Sequence, residues 1–162
     1  MMAGYIKSCK NYFMEALEQL YQYTVWANNT ILAVLEKYGE QTPASALRLM
    51  SHLVNAQTVW LTRIRGQSPA VGIWEEHDLA TCRSMNAEAL QGFGEILGKP
   101  VQENISYKNS TGMAFENTIL DIWLQMLTHG GYHRGQIAMQ MRQHGLEPVN
   151  TDYIVFLRTK AR

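Results

Sequence analysis

Apolar residues recur along most of this chain at alternating three- and four-residue steps, and that rhythm restricts it to helices packed side by side. The first stretch runs Phe13, Leu17, Leu20, Thr24, Ala27, Ile31, Val34 and Tyr38, and Gly39 follows where a helix stops. The second runs Ala46, Met50, Leu53, Gln57, Trp60 and Ile64 up to Gly66, with Thr42-Pro43 ahead of it as cap and first-turn proline. Asp78 caps a third stretch, which turns Leu79, Cys82, Ala89, Leu90, Phe93 and Leu97 inward despite Gly92 and Gly94 in its interior. A fourth begins at the capping residue Thr118 and carries Ile119, Ile122, Met126, His129, His133, Ile137 and Met141 on one face as far as Gly145. The pattern predicts an all-α four-helix bundle. Residues 1–162 are expected to form one domain, since about 150 residues is the usual size of one.

Two stretches break the period. Gly66 to His77 carries Gly, Pro and Ser without periodicity and reads as a long connection between helices 2 and 3. From Val101 to Phe115 the period changes: Ile105 and Tyr107 alternate with polar residues, Asn109 to Gly112 is rich in turn formers, and Met113 and Phe115 alternate again. This predicts a short β-hairpin before helix 4, and two strands alone are so marginal that it must lie across the bundle. In the tail, Thr151-Asp152 precedes the apolar run Tyr153 to Leu157, read as a closing helical turn or two.

Hydrophobic residues make up 46% and charged residues 17%, with 14 Lys and Arg against 14 Asp and Glu. That balance excludes a disordered chain, and without clustered basic residues there is no electrostatic drive toward nucleic acid. No run approaches the ~20 apolar residues that span a bilayer, so no membrane association is expected. The N-terminus has no secretory-type apolar segment, which makes the cytoplasm the expected location. Cys9 and Cys82 form no CxxC pair and read as two free thiols.

The chemistry lies in the histidines. His129 and His133 are four residues apart on a helix, so they point the same way about 6 Å apart along its axis and can chelate one ion. Both occupy positions where the pattern demands apolar residues, and an unpartnered buried ring costs roughly 1–3 kcal/mol. On spacing alone, the pair also fits an ordinary surface or core position. A third imidazole shifts the balance: His52 and His129 each lie ~15 Å from the start of their helices, so all three rings can meet at mid-bundle. Three histidines with no evident fourth ligand leave coordination positions open, as in reactive sites and unlike closed structural ones.

The other histidines stand apart from that cluster. His144 is ~16 Å beyond His133 along the axis, too far to join, and His77 reads as a loop residue among acidic neighbours. Gly130-Gly131 stands where each glycine costs close to 1 kcal/mol, so either something approaches the backbone there or the helix tolerates a weak spot. Gly130 also stands where HExxH proteases need a glutamate, which excludes that class. Arg134 points about 100° from the ligand face and reads as a structural or interface residue. Asp121 precedes His129 by two turns, and Asp152, Gln125, Asn55 and Gln136 are the candidates to orient the imidazoles.

The segment His129-Gly130-Gly131-Tyr132-His133-Arg134-Gly135-Gln136-Ile137 resembles the DinB/YfiT-like superfamily, together with His52-Leu53, Thr151-Asp152-Tyr153 and Tyr23 to Asn28. The resemblance covers nearly the whole chain. It implies an up-down-down-up bundle with a long crossover between helices 2 and 3, which twelve residues reaching ~40 Å can supply along a ~36 Å helix. It also implies a divalent ion, nickel or zinc, on His52, His129 and His133, and frequent homodimers. Relatives of this kind include thiol-dependent transferases and isomerases. Two functions follow as expectations. One is a metal-dependent enzyme of thiol S-transferase or hydrolase type, with a low-molecular-weight thiol as co-substrate. The other is a non-catalytic metal-binding stress-response bundle that serves dimerisation.

Overall fold

A computed structural model describes the backbone of residues 2–161 and the side chains of residues 12–161. The elements are α1 (Met2–Tyr38), a 3-10 turn (Gly39–Gln41), α2 (Ala44–Ile64), α3 (Leu79–Ile96), β1 (Asn104–Lys108), β2 (Ala114–Thr118), α4 (Ile119–Gln143) and α5 (Tyr153–Lys160).

Touching residues fix the helix directions. Between α2 and α3, Ser51 Oγ lies 3.6 Å from Cys82 Sγ, and beyond the C-terminus of α2 Arg65 pairs with Glu95 at 3.2 Å, so the two run parallel. Between α1 and α3, Tyr21 donates to the Leu90 carbonyl, Asn28 donates to Asn86 and Glu36 pairs with Arg83, an antiparallel arrangement. α4 runs antiparallel to α2, with Ser45 bonded to Gln140 and His52 against His129. It runs parallel to α1, with Trp123 edge-on to Tyr21 and Arg134 bonded to Asn28. The bundle is therefore up-down-down-up, and the connection after Gly66 returns the chain along α2 before α3 begins.

The buried side chains gather in two clusters. One end holds Leu17, Leu61, Phe93, Ile119, Ile122 and Trp123, and the other holds Ile31, Leu35, Met50, Leu53, Ile137 and Met141. Each fully buried side chain of this kind contributes roughly 1.5–3 kcal/mol. On α4, Met126 belongs to the first cluster and Ile137 to the second. His129 and His133 fall between them, at the seam of the core. Gly92 and Gly94 let α3 approach its neighbours, because a Cβ would stand 2.4 Å from Leu61 Cδ2 at the first and 2.6 Å from the Tyr21 hydroxyl at the second.

The local structure departs from the sequence reading in three places. Phe13 is 42% exposed, so among the described residues the inward face of α1 starts at Leu17; further on it widens to include Asn28, Leu32 and Leu35, because α1 packs on both α3 and α4. Thr42 does not cap α2. Gly39, at φ +52°, turns the chain so that the Thr42 hydroxyl donates to the Leu35 carbonyl of α1 at 2.7 Å, and Pro43 takes the cap position without a side-chain bond. The second strand continues past Phe115 to Thr118, in register with Asn104. The hairpin is anchored by buried Ile105 and by Tyr107 edge-on to Trp60 of α2, as a strand pair needing support should be.

The local expectations at Asp78, Cys82 and the tail are met. Asp78 accepts from the Thr81 amide at the start of α3, and Cys82 is a buried free thiol; the side chain of Cys9 lies outside the described residues. α5 packs Phe156 against Tyr23 and Trp26, and Tyr23 donates to the Thr151 carbonyl at 2.8 Å. Among the described residues no helix is long and apolar enough to cross a membrane.

Thr118 forms a reciprocal capping box with Asp121: the Asp121 amide donates to Thr118 Oγ1 at 3.1 Å and the Thr118 amide donates to Asp121 Oδ2 at 2.9 Å. The Thr118 hydroxyl, which donates to Asp121 Oδ2 at 2.8 Å, and then the Thr118 amide hold the Asp121 carboxyl below its ordinary pKa. Thr118→Ala is expected to cost about 1 kcal/mol in urea unfolding, because the first turn of α4 loses an acceptor for its free amides.

Candidate metal centre

His52 comes from the middle of α2, and His129 and His133 from successive turns of α4. The antiparallel packing of the two helices brings the three rings together. His52 Nε2 lies 3.2 Å from His129 Nε2, His133 Nε2 lies 3.1 Å from the same atom, and the donor atoms of all three fall within 4.8 Å of one another. His52 and His133 are buried, at 6% and 7% exposure, and His129 is half-buried.

Two of the tautomers are set by neighbours. His52 Nδ1 donates to the Ile73 carbonyl at 2.9 Å, and His133 Nδ1 donates to Gln136 Oε1 at 2.7 Å. Each ring therefore presents a bare Nε2 lone pair toward His129. The single Nε2 proton that His129 can carry satisfies one of them and leaves the other facing it unpartnered. Protonation does not resolve the crowding. Burial first, then His133 and His52, push the His129 pKa down to about 4, and burial lowers that of His133. What fits such a set is one cation. With metal–nitrogen bonds of about 2.1 Å, nitrogens 3.1–3.2 Å apart subtend roughly 95–100°, within the range of tetrahedral and octahedral coordination.

The crossover between α2 and α3 shapes the rest of the site. The indole of Trp74 stacks on His52 at 3.8 Å and 12°, with the Arg48 guanidinium 5.3 Å from the indole. Asn55 donates to the Glu75 carbonyl at 2.7 Å and accepts from His77 Nε2 at 2.8 Å, and the His77 amide donates to Ser51 Oγ. The crossover is thus strapped along α2, and its carbonyl at Ile73 is delivered to His52. His77 belongs to that strap and stays outside the cluster, as does His144, bonded to the Gln140 carbonyl.

The candidate orienting residues fare differently. Gln136 does orient His133. Asn55 holds the crossover instead of a ring, Asp121 is committed to its capping box, and Asp152 starts α5. Gln125 lines a small cleft with Trp60, Tyr107 and Asp121. The Glu75 carboxylate turns back onto the Gly72 amide. Among the described residues no carboxylate joins the imidazoles.

Arg134 faces away from the rings and is 2% exposed, donating to Asn28 Oδ1 at 2.9 Å and to the Tyr23 hydroxyl at 3.1 Å. It also explains the glycine pair in part: a Cβ at Gly130 would meet Arg134 Nη1 at 2.9 Å, whereas one at Gly131 would stand 3.9 Å from its other nitrogen. What sequence reasoning missed is Trp74 and the Ile73 carbonyl. A backbone carbonyl leaves no mark in a sequence, but a tryptophan amid Gly, Pro and Glu was a visible signal that this loop packs on something.

An up-down-down-up helical bundle with three imidazoles converging at its mid-height defines a class of proteins with a potential three-histidine metal centre. The chain belongs to the DinB family, whose model matches residues 9–162. It is 26% identical to Protein DinB of Bacillus subtilis (strain 168), in an alignment that covers 86% of this chain and 92% of that protein.

Proposed function

We propose that the protein is a divalent-metal-dependent enzyme in which His52, His129 and His133 hold nickel or zinc, working as a thiol S-transferase or a hydrolase. The observation that carries this reading is the convergence of three neutral imidazole nitrogens that no protein donor can satisfy together, beside a cavity of about 490 Å³ lined by His52 and His129. A divalent ion bound there supplies Lewis acidity, drawing the pKa of a thiol or water toward neutrality. The chain's own groups do the positioning. The Ile73 carbonyl and Gln136 hold two rings in the ligating tautomer, Trp74 covers one face of His52, and the cavity admits substrate from the other side. With no carboxylate among the described residues at hand as general base, a low-molecular-weight thiol suits the site better than water, since an ionised thiol needs no further base.

The test combines metal analysis of tag-free protein with turnover of an electrophile plus a low-molecular-weight thiol, with and without nickel or zinc. One equivalent of metal and metal-dependent turnover are expected. Metal that raises the melting temperature without turnover favours the non-catalytic binding bundle, and no stoichiometric metal after reconstitution overturns both readings.

A further inference from the structure

We infer that the cavity beside the histidines is a binding site for an organic anion with an apolar body, its anionic group held by Arg63 and Lys108 at the end away from the imidazoles. The inference deepens the enzymatic reading and rests on it only for which end of the ligand reacts. The anion end stands on separate observations.

α2 lines the cavity with one stripe of side chains, His52, Ala56, Val59, Trp60 and Arg63, which extends ~16 Å along the helix axis. Pro69, Val71 and Ile73 of the crossover form an apolar wall, and the hairpin turn at Lys108 to Ser110 closes the far end. The volume of about 490 Å³ lies in the range of small-molecule sites, roughly 300–1,000 Å³. None of the lining residues is acidic, and two are cations.

Arg63 is held ready. Its guanidinium lies 4.6 Å from the Trp60 ring and 4.5 Å from the Tyr107 ring, and Nη2 donates to the Lys108 carbonyl at 3.1 Å. Its Nε is buried with no acceptor. Among the described residues, Arg48, Arg65 and Arg83 each pair with a glutamate, whereas no carboxylate lies within ion-pair distance of Arg63 or Lys108. Two uncompensated cations on an apolar slot, one clamped between aromatic rings, match a carboxylate or a phosphate ester on a hydrophobic stem. A cation clamped only to fasten the hairpin to α2 would give the slot no preference for charge.

Calorimetric titration with phenylhexanoate, phenylhexyl phosphate, phenylhexanol and phenylhexylamine decides, on metal-free and zinc-loaded protein in parallel. The metal-free protein is expected to bind at least one of the two anions about tenfold or more tighter than the alcohol and the amine. The tighter of the two anions identifies the headgroup. Lys108→Ala, a change at an exposed position, is expected to reduce that preference, and Arg63→Gln to abolish it while leaving alcohol binding in place. Three outcomes overturn the inference: no binding or equal binding of the four probes, a preference untouched by both substitutions, or a preference confined to zinc-loaded protein, which would place the anion on the metal. Because the metal-free arm reads the anion end alone, a protein that takes up no metal would defeat the enzymatic reading without deciding this one.

Discussion

Replacing His129 by alanine is expected to lower divalent-metal affinity by at least about a hundredfold while leaving the fold intact. Even the groups that hydrogen-bond to metal-binding histidines are worth about 10–100-fold, and His129 is the ring whose Nε2 stands within 3.2 Å of both others. Isothermal titration with zinc measures the loss. The same variant separates a metal centre from three rings bonded to one another. A hydrogen-bonded core triad would make the metal-free variant clearly less stable, whereas a crowded, unpartnered set makes the substitution near neutral without metal and abolishes the stabilisation that metal confers. The pH dependence carries the same information with a definite sign. The His129 pKa lies near 4 in the folded chain and near 6.5 in the unfolded one, so above 6.5 the ring costs nothing. As pH falls from 6.5 toward 4 the unfolded chain takes up the proton first, and the metal-free protein loses stability over that window. In His129→Ala this part of the acid sensitivity is absent. A variant that keeps wild-type zinc affinity, or retains the full loss between pH 6.5 and 4, would contradict the assignment.

The bundle was legible because burial on a helix is periodic. The seams that end at Ile64 and Met141 appear in the sequence as they do in the core, and Asp78 and Thr118 mark their helix starts by a chemistry that needs only the next three residues. The clustering of the three histidines was legible for the same reason: polar rings at 129 and 133 stand out where the period calls for apolar side chains, and helix length placed His52 at their height. Where the reading failed, the deciding contact was long-range. Thr42 is a good local cap, but the free carbonyls at the end of α1 compete for its hydroxyl. Phe13 obeys the period of α1 yet is exposed, and among the described residues the buried face begins a turn later, at Leu17. Trp74 and Ile73 lie in a segment with no period at all. Their role exists only because Ser51 and Asn55, themselves unremarkable in sequence, tie the crossover down along α2.

Asn28→Ala is expected to destabilise the protein by about 3–5 kcal/mol, a large share of the roughly 5–15 kcal/mol available to a domain. Arg134 carries its charge into the core because a guanidinium cannot shed its proton there, although burial draws its pKa down. Among the described residues no carboxylate compensates it. Instead Asn28 Oδ1 accepts from Nη1, Tyr23 accepts from Nη2, and Nε has no partner. Asn28 also donates to Asn86 Oδ1 at 3.0 Å, and Asn86 donates to the exposed Asn29 at 3.1 Å, so one chain running from the Arg134 guanidinium through Asn28 and Asn86 fixes the register of α1, α3 and α4. Removing Asn28 leaves a charged donor and an amide unsatisfied at once and opens a cavity between three helices. Arg134→Met in the same background removes the stranded charge and is expected to restore part of the loss, since replacing both partners by apolar groups costs less than breaking the pair. Urea unfolding of wild type and the two variants measures this. A loss below about 1 kcal/mol, with the double variant no better than Asn28→Ala, would mean the guanidinium is satisfied by another route, and this account of why the three helices meet in their observed register would fail.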